Sequence, residues 1–211
     1  MSQGEQVILQ VDDWSFAYPE RVVLQGWSVR VHPGVSLLQG GDGAGKTTVL
    51  RLLAGVLHAQ SGSATLLGRP LQSARAGEVF WVEPRGAGLG DLSAADAFAQ
   101  WPARYPLWNA GALAQHVQGF GLAPHLHKPM YQLSTGSQRK VLLAAGLASG
   151  AALTLLDEPI AGLDKPSIVY LQQALAGESA QARQAGERAI VVAHYEPLPG
   201  VPWRDTWALP D

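Results

Sequence analysis

The sequence predicts an α/β protein, and three observations predict it. Apolar strand-like runs alternate with segments of helical period, a Gly-rich loop joins an apolar strand to a helix, and a second apolar strand ends in two adjacent carboxylates. Such a pattern builds a sheet whose ligand sites lie at the carboxyl ends of its strands. At 211 residues the chain is long enough for one domain with a full hydrophobic core and an inserted subdomain.

The first third is strand-rich: "VILQV", "VVLQGWSVRV" and "VSLLQ" are apolar or alternating, and Pro33 and Gly34 separate the last two. The first convincing helix covers Lys46 to Val56, where Val49, Leu52, Leu53 and Val56 keep helical spacing. Strands follow at Ser63 to Leu67 and Val79 to Val82. From Pro84 to Leu133 the texture changes to glycines, prolines and two helices near Ser93 to Trp101 and Leu107 to Phe120, which reads as an inserted helical subdomain. After "LSTGS" a helix runs to about Ser149, then a buried strand "ALTLL", a helix from Lys165 to about Ala185 and a strand "RAIVVA". The uncharged run from Val141 to Leu156 falls short of the roughly 20 apolar residues of a membrane span, and its Ser149-Gly150 pair suits a helix-to-strand junction.

Charge and cysteine content exclude several function classes. Charged residues make up 15% of the chain, well below the roughly 25% of an average domain, so part of the surface is expected to be covered by a partner. A net charge of -2 gives no electrostatic case for nucleic-acid binding. Without cysteine there are no disulfides, thiol catalysis or cysteine-ligated metals. The start "MSQGEQVILQVDD" carries Glu5 and no long apolar region, so no signal peptide is expected.

"GGDGAGKTT", Gly40 to Thr48, fits G-x-x-x-x-G-K-[ST] between an apolar strand and a helix, as its mechanism requires. Gly40, Gly41, Asp42, Gly43, Ala44 and Gly45 supply backbone N–H groups that wrap phosphates. Lys46 reaches the β/γ oxygens, Thr47 offers a hydroxyl to magnesium, and Thr48 is expected among the nucleotide-binding residues. A guanine-reading Asn-Lys-x-Asp is missing, since "LDKPS" lacks the Asn. In "LTLLDEP", Asp157 and Glu158 end a buried strand, where two carboxylates are costly unless they face a metal or water. Asp157 would hold Mg²⁺ through water, and Glu158 would polarise the water attacking a γ-phosphate.

Taken in order, "YPERVVL", "GGDGAGKTT", "LSTGSQRK", "LLDEP", "AGLD" and "VVAH" resemble the nucleotide-binding subunits of ABC transporters over nearly the whole chain. The resemblance implies a P-loop NTPase core of ABC type, residues 1–83 and 138–211, with an N-terminal antiparallel β subdomain and a small helical subdomain at 84–137. It implies ATP and Mg²⁺ as cofactors, ATP hydrolysis, and a second ATPase subunit facing this one as homodimer or heterodimer. A separate transmembrane permease would hold the subunit at the inner face of the cell membrane. "LSTGS" is similar to the family's signature, so Ser134, Gly136 and Ser137 would cover ATP on the partner; Ser137 stands where the family usually has Gln. Tyr18 is similar to the aromatic that stacks on adenine, His194 to the switch histidine, and Asp164 to the loop crossing the dimer interface. Trp14 and Phe16 are expected in the core, and His58, His125 and His127 at the surface.

One element departs from the family. Where it places a metal-touching glutamine, this chain reads "VFWVEPRGAGLGDLSAAD", with Glu83, Pro84 or Arg85 in that place. Glu83 could ligate magnesium, whereas Arg85 would act as a charge near phosphate. Compact length is similar to small ATPase subunits of bacterial exporters, such as the haem exporter of cytochrome c maturation. Two other readings keep the fold: a nucleotide-gated module that hydrolyses weakly, and a soluble ABC protein acting on ribosomes or DNA.

Overall fold

The computed structural model describes residues 6–83 and 90–209. In chain order its elements are β1 (Leu9–Tyr18), β2 (Arg21–Val31), β3 (Gly34–Gln39), α1 (Lys46–Leu53), β4 (Ser61–Leu66), β5 (Arg69–Pro70) and β6 (Val79–Phe80). There follow α2 (Ala94–Arg104), α3 (Ala110–Gly119), α4 (Thr135–Ala148), β7 (Leu153–Asp157), α5 (Lys165–Ala185), β8 (Ala189–His194) and β9 (Thr206–Ala208).

They form two sheets. The first is antiparallel, in the order β2-β1-β4-β5. Along β1 the buried positions change parity, from Leu9 and Val11 to Trp14 and Phe16. Period-2 alternation alone would turn the second pair outward; a register shift between Val11 and Trp14, with Asp13 at φ 57°, keeps both pairs facing the core. The second sheet is wholly parallel, in the order β6-β7-β8-β3-β9. Its middle strands β7, β8 and β3 are buried nearly throughout, because helices cover both faces.

Two apolar clusters hold these layers. One packs β1, β2 and β4 on the Val49, Leu50, Leu52 and Leu53 side of α1. The other joins α2 and α3 to the parallel sheet through Phe80, Trp101, Tyr105, Phe120, Leu143 and Leu171. The inserted helices therefore share a core with the sheet. Arg188, at the start of β8, pairs with Glu178 at 2.8 Å and donates to the carbonyls of Gly146 (2.7 Å) and Leu147 (3.0 Å). It thereby supplies a donor to the Leu147 carbonyl at the end of α4 and adds one to the Gly146 carbonyl, which also accepts from Ser149.

Several boundaries differ from expectation for local reasons. Helix α1 stops at Leu53 instead of Val56, because Gly55 turns left-handed at φ 71°. Helix α3 starts at Ala110 instead of Leu107, where the Asn109 side chain accepts from the Ala112 amide. The strand expected at Val79 to Val82 is ordered as β only through Phe80. Short β5 and β9 carry no periodic signal and were not expected. Trp14 and Phe16 are buried, as are most residues of the predicted strands. His58 and His127 are exposed, whereas His125 is half-buried.

His116 on α3 is 7% exposed, and its Nδ1 lies 2.9 Å from the Tyr170 hydroxyl on α5. Burial, reinforced by the Arg188 charge, lowers its pKa from 6.5 to about 4. Between those values the unfolded chain binds a proton that the folded chain refuses. This contribution to stability is complete above pH 6.5 and is lost as the pH falls toward 4. Its size is about 3 kcal/mol. His116→Gln should therefore flatten stability against pH in this window, measured by urea unfolding, while the parent loses about 3 kcal/mol more than the variant. Parallel profiles would show that His116 accepts its proton in place.

Candidate nucleotide site

Parallel register assembles this site. Gln39, the last residue of β3, pairs with His194, the last of β8, and Asp157, the last of β7, pairs with Ala193. Three strand ends thus deliver the glycine loop, the histidine and the acidic pair side by side. Gly40 to Gly45 bridge β3 and α1, and no side chain caps α1 and no acidic residue lies in its first turn. The free N–H groups of that helix start and its positive potential make it a seat for an anion. Gly45 has φ 98°, and a Cβ there would lie 2.5 Å from Val23 Cγ1, so both backbone and space demand glycine.

Charge is concentrated around Lys46. The residue is buried, at 6% exposure, and its ammonium donates to the carbonyls of Gly40 (2.7 Å) and Gly41 (2.9 Å) and lies 2.9 Å from Glu158 Oε1. The other Glu158 oxygen is 2.6 Å from His194 Nδ1. Glu158 holds this place with φ 42°, unusual for a residue with a side chain, while its amide donates to the Ala193 carbonyl. His194 is almost fully buried, and its Nε2 has no partner among the described residues. The Tyr195 ring packs against it, tilted by 59°, with ring centres 4.4 Å apart.

Thr47 donates its hydroxyl proton to Asp157 Oδ2 at 2.6 Å, while Asp157 Oδ1 is buried and unpartnered. Burial raises the Asp157 pKa and the neighbouring Glu158 charge adds to it, against the Thr47 hydrogen bond and the Lys46 and Arg139 charges. A hydroxyl and a carboxylate with a spare oxygen form a donor set for a small hard cation. Among the described residues no group of three His, Asp or Glu encloses a metal, so a cation held here would need further oxygen donors from outside the chain. The cavity holds about 290 Å³ and is lined by Gly41, Asp42, Gly43, Gly45, Lys46, Thr47, Thr48, Asp157 and Glu158. A larger cleft of about 720 Å³ lies at the opposite ends of the strands, beside Glu78, Ala152 and Arg188, and offers no phosphate loop.

The remaining candidates fall into separate places. Tyr18 ends β1, half-exposed, with its hydroxyl 3.4 Å from Thr48 Oγ1, so its ring stands beside the start of α1. Ser134 caps α4 by accepting from the Ser137 amide, and it lies with Gly136, Ser137 and Asp164 away from the phosphate cavity. Asp164 caps α5 through the Ser167 amide. The Glu83 carboxylate is engaged by Arg51 of α1, and Pro84 and Arg85 lie outside the described residues. Sequence reasoning missed Arg51, although it stands four residues beyond Thr47 on the same helix face. It also missed Tyr195, which carries no motif.

Known proteins resemble this chain in sequence and in fold. The family model described as ABC transporter matches residues 24–161. The chain is 34% identical over 197 residues to the cytochrome c biogenesis ATP-binding export protein CcmA of Salmonella typhi, covering 92% of each. It is 31% identical over 199 residues to the zinc transport system ATP-binding protein TroB of Treponema pallidum, covering 88% of this chain and 72% of that one. A solved ABC transporter ATP-binding protein from Pyrococcus furiosus superposes with a TM-score of 0.77 at 21% identity, covering 95% and 96% of the two chains.

Gly45→Ala should weaken binding of a fluorescent ATP analogue by more than about tenfold, because the new methyl group displaces either Val23 or the loop. Equilibrium titration checks this, with circular dichroism confirming the fold. Unaltered affinity would show that the loop conformation does not set phosphate binding.

Proposed function

The chain belongs to the ABC transporter ATP-binding family, and we propose that it hydrolyses ATP as one of two facing subunits that power a separate membrane permease. The observation that carries this reading is the Glu158 carboxylate, shared between Lys46 of the phosphate loop and His194 of the neighbouring strand end. A base and a phosphate-binding cation thereby line one cavity, with a second polar contact, His194, on the base itself. Backbone amides of Gly41 to Thr48 would grip the phosphates, Lys46 would neutralise the β/γ oxygens, and Tyr18 would stack on the base. Glu158 would orient and polarise the attacking water, and His194 Nε2 would face the γ-phosphate. Thr47 and Asp157 would hold Mg²⁺, which supplies charge neutralisation when bound.

Dimerisation enters because Ser134, Gly136, Ser137 and Asp164 are absent from the lining of the phosphate cavity. In the proposal they act on the nucleotide of the facing subunit, as homodimer or heterodimer. Among the described residues no helix is long and apolar enough to cross a membrane, so the spanning part is assigned to another polypeptide and this subunit to its cytoplasmic face. The relatives' names point to different cargoes, cytochrome c biogenesis export and zinc transport, so similarity selects none. The weakly hydrolysing module remains the second reading, favoured by the missing loop glutamine.

Lys46→Ala should lower ATP turnover at least about a hundredfold, since the cation on the transferring phosphate is lost. Glu158→Gln should keep ATP binding, lose hydrolysis by a similar factor and accumulate a Mg-ATP dimer on sizing. A monomer under these conditions, with or without permease, removes the two-subunit model. Slow turnover by the parent even with permease would favour the gated module.

Glu83 is proposed as a third oxygen donor to magnesium, a role that requires it to leave or share its bond to Arg51. In a Mg²⁺ titration of turnover, Glu83→Gln should behave like the parent, whereas Glu83→Ala should need more metal and run about tenfold slower, about 1.4 kcal/mol of barrier. Unchanged metal dependence in Glu83→Ala would leave Glu83 as a strut to α1 only.

A further inference from the structure

Resting on the two-subunit reading, we infer that Lys140 is a positioning residue, tying the signature turn at the start of α4 to the loop before α5. Both segments then meet the facing subunit's nucleotide as one body.

Three contacts from one face of α4 carry this. Gly136, Arg139 and Lys140 stand at i, i+3 and i+4, the spacing that stacks residues on one side of a helix. Gly136 packs so closely that a Cβ on it would lie 2.2 Å from the Gly162 carbonyl oxygen. Gly162 itself turns at φ 76°. Arg139 donates to the Ala161 carbonyl. Lys140 Nζ lies 2.6 Å from Asp164 Oδ2, while Asp164 Oδ1 accepts from the Ser167 amide at 2.9 Å. One carboxylate therefore caps α5 and binds α4 at once. The Lys140 and Ser167 bonds together hold that carboxyl well below the usual range, so it stays ionised at working pH.

Global stability does not explain this arrangement. The Lys140 side chain is 13% exposed but that of Asp164 is 56% exposed, and ion pairs open to solvent contribute little to unfolding free energy. What the pair does supply is a fixed distance between two segments that have no sheet or shared helix to align them. A surface already arranged before association loses less freedom on binding. Lys140 thus prepares the signature turn and the Ala161–Asp164 loop together, and neither touches this chain's own phosphate cavity.

Hydrogen exchange on the full nucleotide-free chain tests the tie directly. Lys140→Met should speed exchange of amides 134–137 and 161–164 together, by about fivefold, with the melting temperature essentially unchanged, and Lys140→Arg should restore slow exchange. In the Glu158→Gln background, Lys140→Met should raise the Mg-ATP concentration for half-maximal dimerisation about fivefold, while a single subunit binds a fluorescent ATP analogue as before. Acceleration confined to one segment overturns the tie, and an unshifted dimerisation midpoint overturns its consequence. Should Glu158→Gln alone fail to dimerise, the two-subunit reading falls with that consequence, while paired exchange still decides whether Lys140 joins the segments.

Discussion

Parallel pairing of β7, β8 and β3 is the constraint on which the site depends. In a parallel sheet all carboxyl ends lie on one edge, and the observed register sets Gln39 against His194 and Asp157 against Ala193. One residue of slip in any strand would carry His194 or Asp157 away from Gly40, and would exchange the side chains that the strand packs on the two buried faces of the sheet. Burial of Leu37, Leu38, Leu155, Val191 and Val192 therefore fixes more than stability. It holds Glu158 between Lys46 and His194, on a backbone conformation that only a tightly determined surround sustains.

The same edge concentrates electrostatic cost. Asp157 is driven toward its neutral form by burial and by the adjacent Glu158, and Thr47, Lys46 and Arg139 offset only part of that. Proteins tolerate such a carboxylate where it meets a cation in use, and its buried Oδ1 has no partner among the described residues. Lys46 answers the opposite need, since two loop carbonyls and Glu158 already satisfy its ammonium. A phosphate arriving at this loop must compete with a carboxylate for Lys46, so Glu158 and the phosphate are coupled through one cation.

Much of this was legible in the chain, because the decisive signals are local. A strand followed by Gly40 to Thr48 and an amphipathic α1 announces its own geometry within a few residues, and "LTLLDEP" does the same for β7. Helix α5 was read to its end residues, since Asp164 caps it and Gly186 stops it. What escaped was non-local or too short to have a period. Strand β9 has three residues and is held by pairing with β3, a fact invisible in "DTWAL". The Glu83–Arg51 bond joins residues 32 apart in sequence, and the Lys140–Asp164 bond residues 24 apart. No window of local pattern contains either. Asp164 was read as an interface residue from its motif, but its immediate work in the fold is to cap α5 and hold α4.

These contacts also bear on why the phosphate cavity and the signature turn are built so differently. The cavity is formed by backbone amides, a buried lysine and carboxylates at strand ends, all locked by the sheet. Ser134, by contrast, is exposed, and its hydroxyl is occupied in capping α4. A helix start with little around it gains strong electrostatic leverage only when a second surface excludes water from it. Gly136, Arg139 and Lys140 hold the turn to the loop ahead of α5, and as proposed it would serve as half of an anion site. The cavity of about 290 Å³ is lined by the phosphate loop together with Asp157 and Glu158, and by none of these signature residues. In the proposed two-subunit reading each half would complete the other across two copies of the fold, so that Glu158 and Ser134 of different chains would meet around one nucleotide.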